Sequence, residues 1–262
     1  RLRFTSPNPK DFRDDVVEAM AGCRPLCEHV HLPLQSGSDR VLRLMRRGYR
    51  RRRYLEILAN LRAAIGGVAF STDIIVGFPG ETEADFADTL DLVEQARFDS
   101  AFTFQYSPRP GTEAASMPDQ VPPEVVKDRF QRLLQLQERV SLEANRALLG
   151  TEVELLVERS ASKTNPTRMS GRTRTNKLCH FPAAPAGTGP GSPGAGTHPQ
   201  DPSTPVEPGD LVTVRVEQAA PHHLVGGPVL HRRPRPAAGS SCPSAPGPRL
   251  LPAGAVRLPL VG

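Results

Sequence analysis

The stretch HLPLQSGSDRVLRLMRRGYR, His31 to Arg50, decides how the first half of the chain is read. HLPL is an apolar run that ends in a Gln-Ser-Gly-Ser turn, and the turn leads straight into DRVLRLMRR, whose apolar residues recur with a helical period. A strand that passes through a Gly/Ser turn into a helix is the repeating unit of a parallel α/β sheet. Gly37 lets the backbone approach a ligand. Ser36, Ser38 and the free N–H groups of the next helix suit a carboxylate or hydroxyls, and Gln35 offers both a donor and an acceptor. The plainer role of either serine is to cap the helix.

Outward from this stretch the unit repeats. RLRFTS reads as a short strand, and DFRDDVVEAMAG as a helix with Phe12, Val16 and Met20 on one face, stopping at Gly22. EHVHLPL is the second strand. Tyr54, Ile57, Leu58, Leu61 and Ile65 mark an amphipathic helix closed by Gly66-Gly67. VAFSTDIIV is apolar enough to be a strand buried on both faces. TEAD, Thr82 to Asp85, resembles a capping box ahead of the stripe Phe86, Leu90, Val93, and SAFTFQY alternates as a fourth strand. These units are too few to close a (β/α) barrel, so a partial barrel over 1–149 is expected. The chain opens at Arg1 inside this rhythm and is expected to be a piece of a longer one.

A long helix is predicted from Pro122 to Leu149, with Gly150 as its stop. After it TEVELLVE, GRTRTNKLCHF and GDLVTVRVEQA alternate like strands. They predict a small antiparallel β-barrel over 150–225, interrupted by a Pro/Gly/Ser insertion at about 182–206 that cannot bury a core. Residues 226–262 show no usable period and are expected to be a disordered or mispredicted tail. The fold class expected is therefore α/β, a partial barrel followed by a small β-barrel.

Composition narrows the classes. The 262 residues carry a formal charge of +5. No apolar run is long enough to span a membrane, and no signal peptide opens the chain, so a soluble cytoplasmic protein is expected. Eight arginines between Arg40 and Arg53, Arg46 and Arg47 among them, suit a polyanion such as RNA, although a solvated helical face is the plainer reading. The cysteines Cys23, Cys27, Cys179 and Cys242 make no secreted disulfide framework. Cys23 and Cys27 lack a third ligand at the right spacing, because position 30 is Val30, and His29 and His31 fit no common zinc or cluster pattern; no metal site is assigned.

In parallel α/β sheets ligands sit at the C-terminal ends of strands, and three special segments fall there: PLQSGSD, DIIVGFPGET and QYSPRPGT. Asp73 is a carboxylate inside an apolar strand and needs a partner or a function. Gly77, Pro79 and Gly80 make a tight turn before Glu81. Tyr106, Arg109 and Gly111 offer a phenol, a fixed cation and a flexible backbone at the rim. A strand-ending turn and an ordinary surface cation are the plainer readings of the last two segments.

HLPLQSGSDRVLRLMRRGYR, STDIIVGFPGETEADF and FTFQYSPRPGTEAA, in that order, resemble successive segments of the radical-SAM methylthiotransferases, closest to the branch that modifies tRNA, the MiaB type. GTEVELLVE, SGRTRTNKLCHF and GDLVTVRVEQAAPHHLVG resemble that family's C-terminal RNA-binding TRAM domain. The resemblance spans roughly residues 1–226. It implies S-adenosylmethionine and 4Fe–4S clusters as cofactors, and a methylthio group added to the prenylated adenosine beside the anticodon. The implied partners are a tRNA anticodon stem-loop and donors of sulfur and electrons, with a monomer expected. By this similarity Gln35, Ser36, Gly37, Ser38, Asp73, Gly77 and Glu81 would line the S-adenosylmethionine side. Tyr106 and Arg109 would sit nearer the substrate, and Arg46, Arg47, Arg172, Arg174 and Lys177 would face RNA phosphates. The family's C-x-x-x-C-x-x-C cluster loop does not occur in the sequence, so the chain alone is expected to be inactive, and its catalytic residues stay unassigned. A non-catalytic RNA-binding piece, or a sister methylthiotransferase acting on another tRNA adenosine or a ribosomal protein, are the alternatives.

Overall fold

The computed structural model describes residues 1–3, 5, 7–159, 167–183 and 206–235. The core of the expected insertion, most of the expected tail and Cys242 lie outside the described residues.

A 3-10 turn at Pro9–Asp11 precedes α1 (Asp14–Gly22), β1 (His29–His31), α2 (Asp39–Leu44), α3 (Arg51–Ala64), β2 (Ala69–Val76), α4 (Glu83–Ala96), β3 (Ser100–Gln105), α5 (Glu113–Ser116) and α6 (Pro123–Arg146). The strands form one parallel sheet in the order β1-β2-β3, with His31 opposite Ser71 and Asp73 opposite Phe102. Of RLRFTS, the described residues form no strand beyond a single bridge from Leu2 to Leu26, and Phe4 and Ser6 lie outside the described residues.

The period of the sequence explains the layering. Val30, Phe70, Ile74 and Val76 point to one face of the sheet, where Tyr54, Leu58, Leu61, Phe86, Val93 and Leu133 from α3, α4 and α6 bury them. VAFSTDIIV was expected to be buried on both faces. Instead one face is packed by helices, while Asp73 and Ile75 on the other are half-buried beside Phe102 and Phe104, which are 58% and 51% exposed.

The capping box holds. The Thr82 side chain accepts from the Asp85 N–H, and the Asp85 carboxylate accepts from the Thr82 N–H. α6 buttresses the sheet through Gln137, which donates to the Phe98 carbonyl at 2.9 Å, and Ser141, which donates to that of Asp99 at 2.9 Å.

Residues 150–235 contain β4 (Glu152–Arg159), β5 (Arg168–Arg172), β6 (Leu178–Pro182), β7 (Leu211–Ala219) and β8 (Leu224–Arg233), closed into a barrel in the order β4-β5-β6-β8-β7. Alternate residues Leu155, Val157, Phe181, Val212, Val214, Val216 and Leu224 fill it.

Three expectations change here. The barrel is not wholly antiparallel, because β6 and β8 pair parallel through Cys179 and His180. GRTRTNKLCHF is a hairpin rather than one strand, turning at residues 173–177 with Asn176 at φ 66°. The barrel does not end at residue 225, because β8 continues to Arg233. Its closure needs those residues: buried Asp210 accepts from Arg232 Nε at 2.8 Å and from the Arg235 N–H at 3.0 Å.

Candidate functional site

The strand ends meet at one mouth. Gln35 extends β1 by bridging to β2: its N–H donates to the Asp73 carbonyl at 2.8 Å, and its own carbonyl accepts from the Ile75 N–H at 2.9 Å. Its φ of 69° swings the chain out of the strand. Beyond the ends of β2 and β3 opens a cavity of about 600 Å³, lined among others by Gln35, Asp73, Phe78, Phe104, Tyr106 and Arg109. Arg47 reaches the same cavity from the end of α2. The floor is apolar and aromatic, with Phe78 and Tyr106 edge to face at 5.3 Å between ring centroids. The Tyr106 hydroxyl is buried and has no hydrogen-bond partner among the described residues.

The other expected ligand residues serve the mouth from behind. Ser36 is fully buried, and its hydroxyl lies 3.4 Å from Thr89 Oγ1. A Cβ on Gly37 would stand 2.5 Å from Thr89 Cα, so glycine is required where the turn packs on α4. Ser38 caps α2, accepting from the Arg40 and Val41 N–H groups, and donates to Asp85 at 2.6 Å. The Arg40 and Val41 N–H groups of this helix start are thus used by the cap, and the carboxylate beside Ser38 is that of Asp85.

Burial alone would raise the Asp85 carboxyl. Hydrogen bonds from Arg40, Ser38 and Thr82 outweigh it and hold the group well below the usual carboxylate range.

Glu81 is corrected likewise. Its Oε2 accepts from the Gly77 N–H at 2.9 Å and from Arg129 Nη1 at 3.0 Å, with the Glu81 and Arg129 side chains 1% and 6% exposed. Burial pushes its pKa up against the pull of the Gly77 N–H and Arg129. Gly77, at φ 78°, turns its N–H inward to this pair rather than toward a ligand.

The basic residues divide in the same way. Arg40, Arg46, Arg51, Arg52 and Arg53 are engaged in ion pairs, Arg46 with Glu113. Among the described residues Arg43, Arg47 and Arg50 carry no ion pair, and all three are exposed. Lys177, with its side chain 10% exposed, donates to Asp99 at 2.6 Å and Asn145 at 2.8 Å. Arg174 pairs with Glu28 at 2.7 Å, and Arg172 with Glu158 at 3.3 Å while donating to the Asn176 carbonyl. Lys177 and Arg174 therefore tie the barrel to the α/β unit instead of facing solvent.

Sequence reasoning missed the open face beneath the mouth. His29, His31 and Ser71 lie there with Asp73, and Phe102 meets His31 edge to face at 5.8 Å. The alternation His29-Val30-His31 in a strand was the available signal; their partners come from another strand and carry none.

Among the described residues no group of three or more His, Cys, Asp or Glu side chains could hold a metal ion. A 4Fe–4S cluster does not fit the residues described, and no step is derived through one. A nucleoside with polar substituents does fit: an aromatic floor, an unpartnered buried phenol, a carboxylate, an amide and a guanidinium converge on one cavity.

Residues 1–93 match the radical SAM superfamily. A tRNA-2-methylthio-N(6)-dimethylallyladenosine synthase of Nocardia farcinica is 54% identical over all of this chain and 50% of its own length. Another so named, from Mycobacterium marinum, is 55% identical over 92% of this chain and 43% of its own. Over the length it spans, the chain is similar to the radical-SAM methylthiotransferases. It spans about half the length of the curated relatives it matches. Among solved structures, coproporphyrinogen III oxidase (HemN) of Escherichia coli, a radical SAM enzyme, overlaps 65% of this chain and 46% of its own at TM-score 0.45 and 17% identity. No helix among the described residues is long and apolar enough to cross a membrane.

Proposed function

We propose that the chain is the ligand-binding and RNA-contacting part of a tRNA methylthiotransferase, one that adds a methylthio group to a prenylated adenosine beside the anticodon. The observation that carries the reading is the meeting of Gln35, Asp73, Tyr106 and Arg109 at one aromatic-floored mouth, in a chain 54% identical along its whole length to a synthase of that name. S-adenosylmethionine is the cofactor the donor set suits; when bound it would supply a methyl group, and an adenosyl radical only on receiving one electron from a reductant outside the described residues. Asp73 and Gln35 would take its polar edge, while Phe78 and Phe104 exclude water from its base. The five-stranded barrel would act as the family's TRAM domain. Arg43, Arg47 and Arg50, free of ion pairs among the described residues, are the phosphate contacts offered in place of Arg174 and Lys177.

The test uses the longer protein that contains this chain, expressed in a strain lacking tRNA methylthiolation. Mass spectrometry of digested tRNA should show methylthiolated prenyladenosine, and Asp73→Ala or Arg109→Ala should lower it at least about tenfold, the weight of one charge-assisted contact. Prenyladenosine left unmodified by the parent protein would sink the reading.

A further inference from the structure

Beneath the mouth, on the open face of the sheet, four polar side chains run in one line across β1 and β2. His31 Nε2 stands 3.5 Å from Asp73 Oδ2. His31 Nδ1 lies 2.9 Å from Ser71 Oγ, and Ser71 Oγ lies 3.0 Å from His29 Nε2. His29, Ser71 and His31 are 7%, 3% and 8% exposed. Asp73 reaches the cavity, and among the described residues His31 is the one side chain that forms an ion-pair contact with its carboxylate.

Proton counting gives this line a direction. The Asp73 carboxylate draws the His31 N–H to Nε2, which leaves Nδ1 of that ring bare. A bare Nδ1 must accept, so the single Ser71 proton points at it. Ser71 Oγ is then free only to accept, and it takes the Nε2–H of His29. The far end of the line is His29 Nδ1, left without a proton. That nitrogen is buried with no partner, and an orphaned acceptor is a lesser fault in a protein interior than an orphaned N–H. Burial, with Arg3 and Arg172 nearby, holds His29 neutral, its pKa down to about 4, so it can take part as a single tautomer.

We propose that His29, Ser71 and His31 form a polarised hydrogen-bond ladder that positions Asp73 as a pure acceptor at the mouth, for a hydroxyl or amine of a nucleoside ligand. The three are positioning residues, and only Asp73 meets the ligand. The ligand half rests on the proposed function; the ladder itself does not.

The experiment separates the two. Nitrogen-15 NMR of the imidazoles in the full chain should find both His29 and His31 mainly protonated at Nε2. In Asp73→Leu the Nε2–H fraction should fall at His29 as well as at His31, although the His29 ring does not reach Asp73. In Ser71→Ala, His31 should keep its tautomer while His29 loses its own. A His29 tautomer that stays the same in both variants overturns the ladder; should Asp73→Leu not fold, Ser71→Ala decides alone. Calorimetry with 5′-deoxyadenosine as probe then reads the ligand half. Ser71→Ala should weaken binding by about threefold and Asp73→Leu by about tenfold. Unchanged affinity in both overturns the positioning role. A parent chain that does not bind the probe while the tautomers move together counts against the nucleoside reading of the mouth and leaves the ladder standing.

Discussion

At the scale of single residues, one stretch of chain faces two ways. Gln35 turns outward to the mouth, while Ser36, Gly37 and Ser38 turn inward to α4. Asp85 is the inward anchor. Removing it in Asp85→Ala leaves Ser38, Thr82 and Arg40 without their acceptor and should cost about 2–4 kcal/mol in urea unfolding; a loss under about 0.5 kcal/mol would refute the anchoring role. Two of the groups that shape the acid limb of stability act at different pH. His29 is neutral in the fold, with its pKa lowered from 6.5 to about 4. Between those values the unfolded chain binds the extra proton, so this contribution is complete above pH 6.5 and fades as pH falls toward 4. Its size is on the order of 3 kcal/mol. The depressed Asp85 acts lower: its contribution is complete above the ordinary carboxylate range and is lost only in strong acid. Chemical unfolding at a series of pH values should show the upper limb shrink in His29→Gln with the lower one kept. An unchanged slope between pH 6.5 and 4 would mean that His29 is charged in the fold.

At the scale of elements, α6 locks the turn after β2. Arg129 bonds the Glu81 carboxylate and carbonyl and reaches Glu83 at 3.1 Å. Breaking the buried pair with Arg129→Met should cost about 3–5 kcal/mol, because Glu81 is then a buried charge alone. The joint change Arg129→Met with Glu81→Leu should recover part of that loss in thermal unfolding; strict additivity would show the two groups to be uncoupled. The elements themselves were legible from the sequence because their signals are local. The period of Tyr54, Ile57, Leu58 and Leu61, the Thr82–Asp85 box and the alternation in β4 and β7 each lie within one segment. So does the placement of Gln35, Tyr106 and Arg109 beyond strand ends, with Asp73 inside β2. What stayed hidden depends on pairing between segments. Parallel register sets Ser71 beside His31, α6 brings Arg129 to Glu81, and the β6–β8 contact carries the barrel past residue 225. None of these leaves a mark on the residues that precede or follow.

At the scale of the molecule, the cations read as one RNA-facing set divide into exposed arginines without ion pairs among the described residues and residues tied into the seam, and each group has its own measurement. Arg43, Arg47 and Arg50 project from one exposed stretch. Changing all three to Gln should lower the slope of log affinity against log salt for an anticodon stem-loop by about 2 to 3 and leave thermal stability in place. An unchanged slope would move the phosphate contacts elsewhere. Arg174 and Lys177 belong to the seam. Arg174 reaches Glu28 and the carbonyls of Arg24 and Leu26 on the α/β side, and Lys177 joins Asp99 to Asn145. Arg1 crosses the same seam to Glu154 and the Arg172 carbonyl. The barrel core and the α/β core are separate clusters, so their cooperation in unfolding depends on these polar ties and on α6. Calorimetry of the parent chain should therefore show one transition. Arg174→Ala with Lys177→Met should split it in two, the barrel and the α/β unit melting apart, with little change in the salt slope for RNA. A single transition at the parent temperature, together with a lost salt slope, would return both residues to the RNA face.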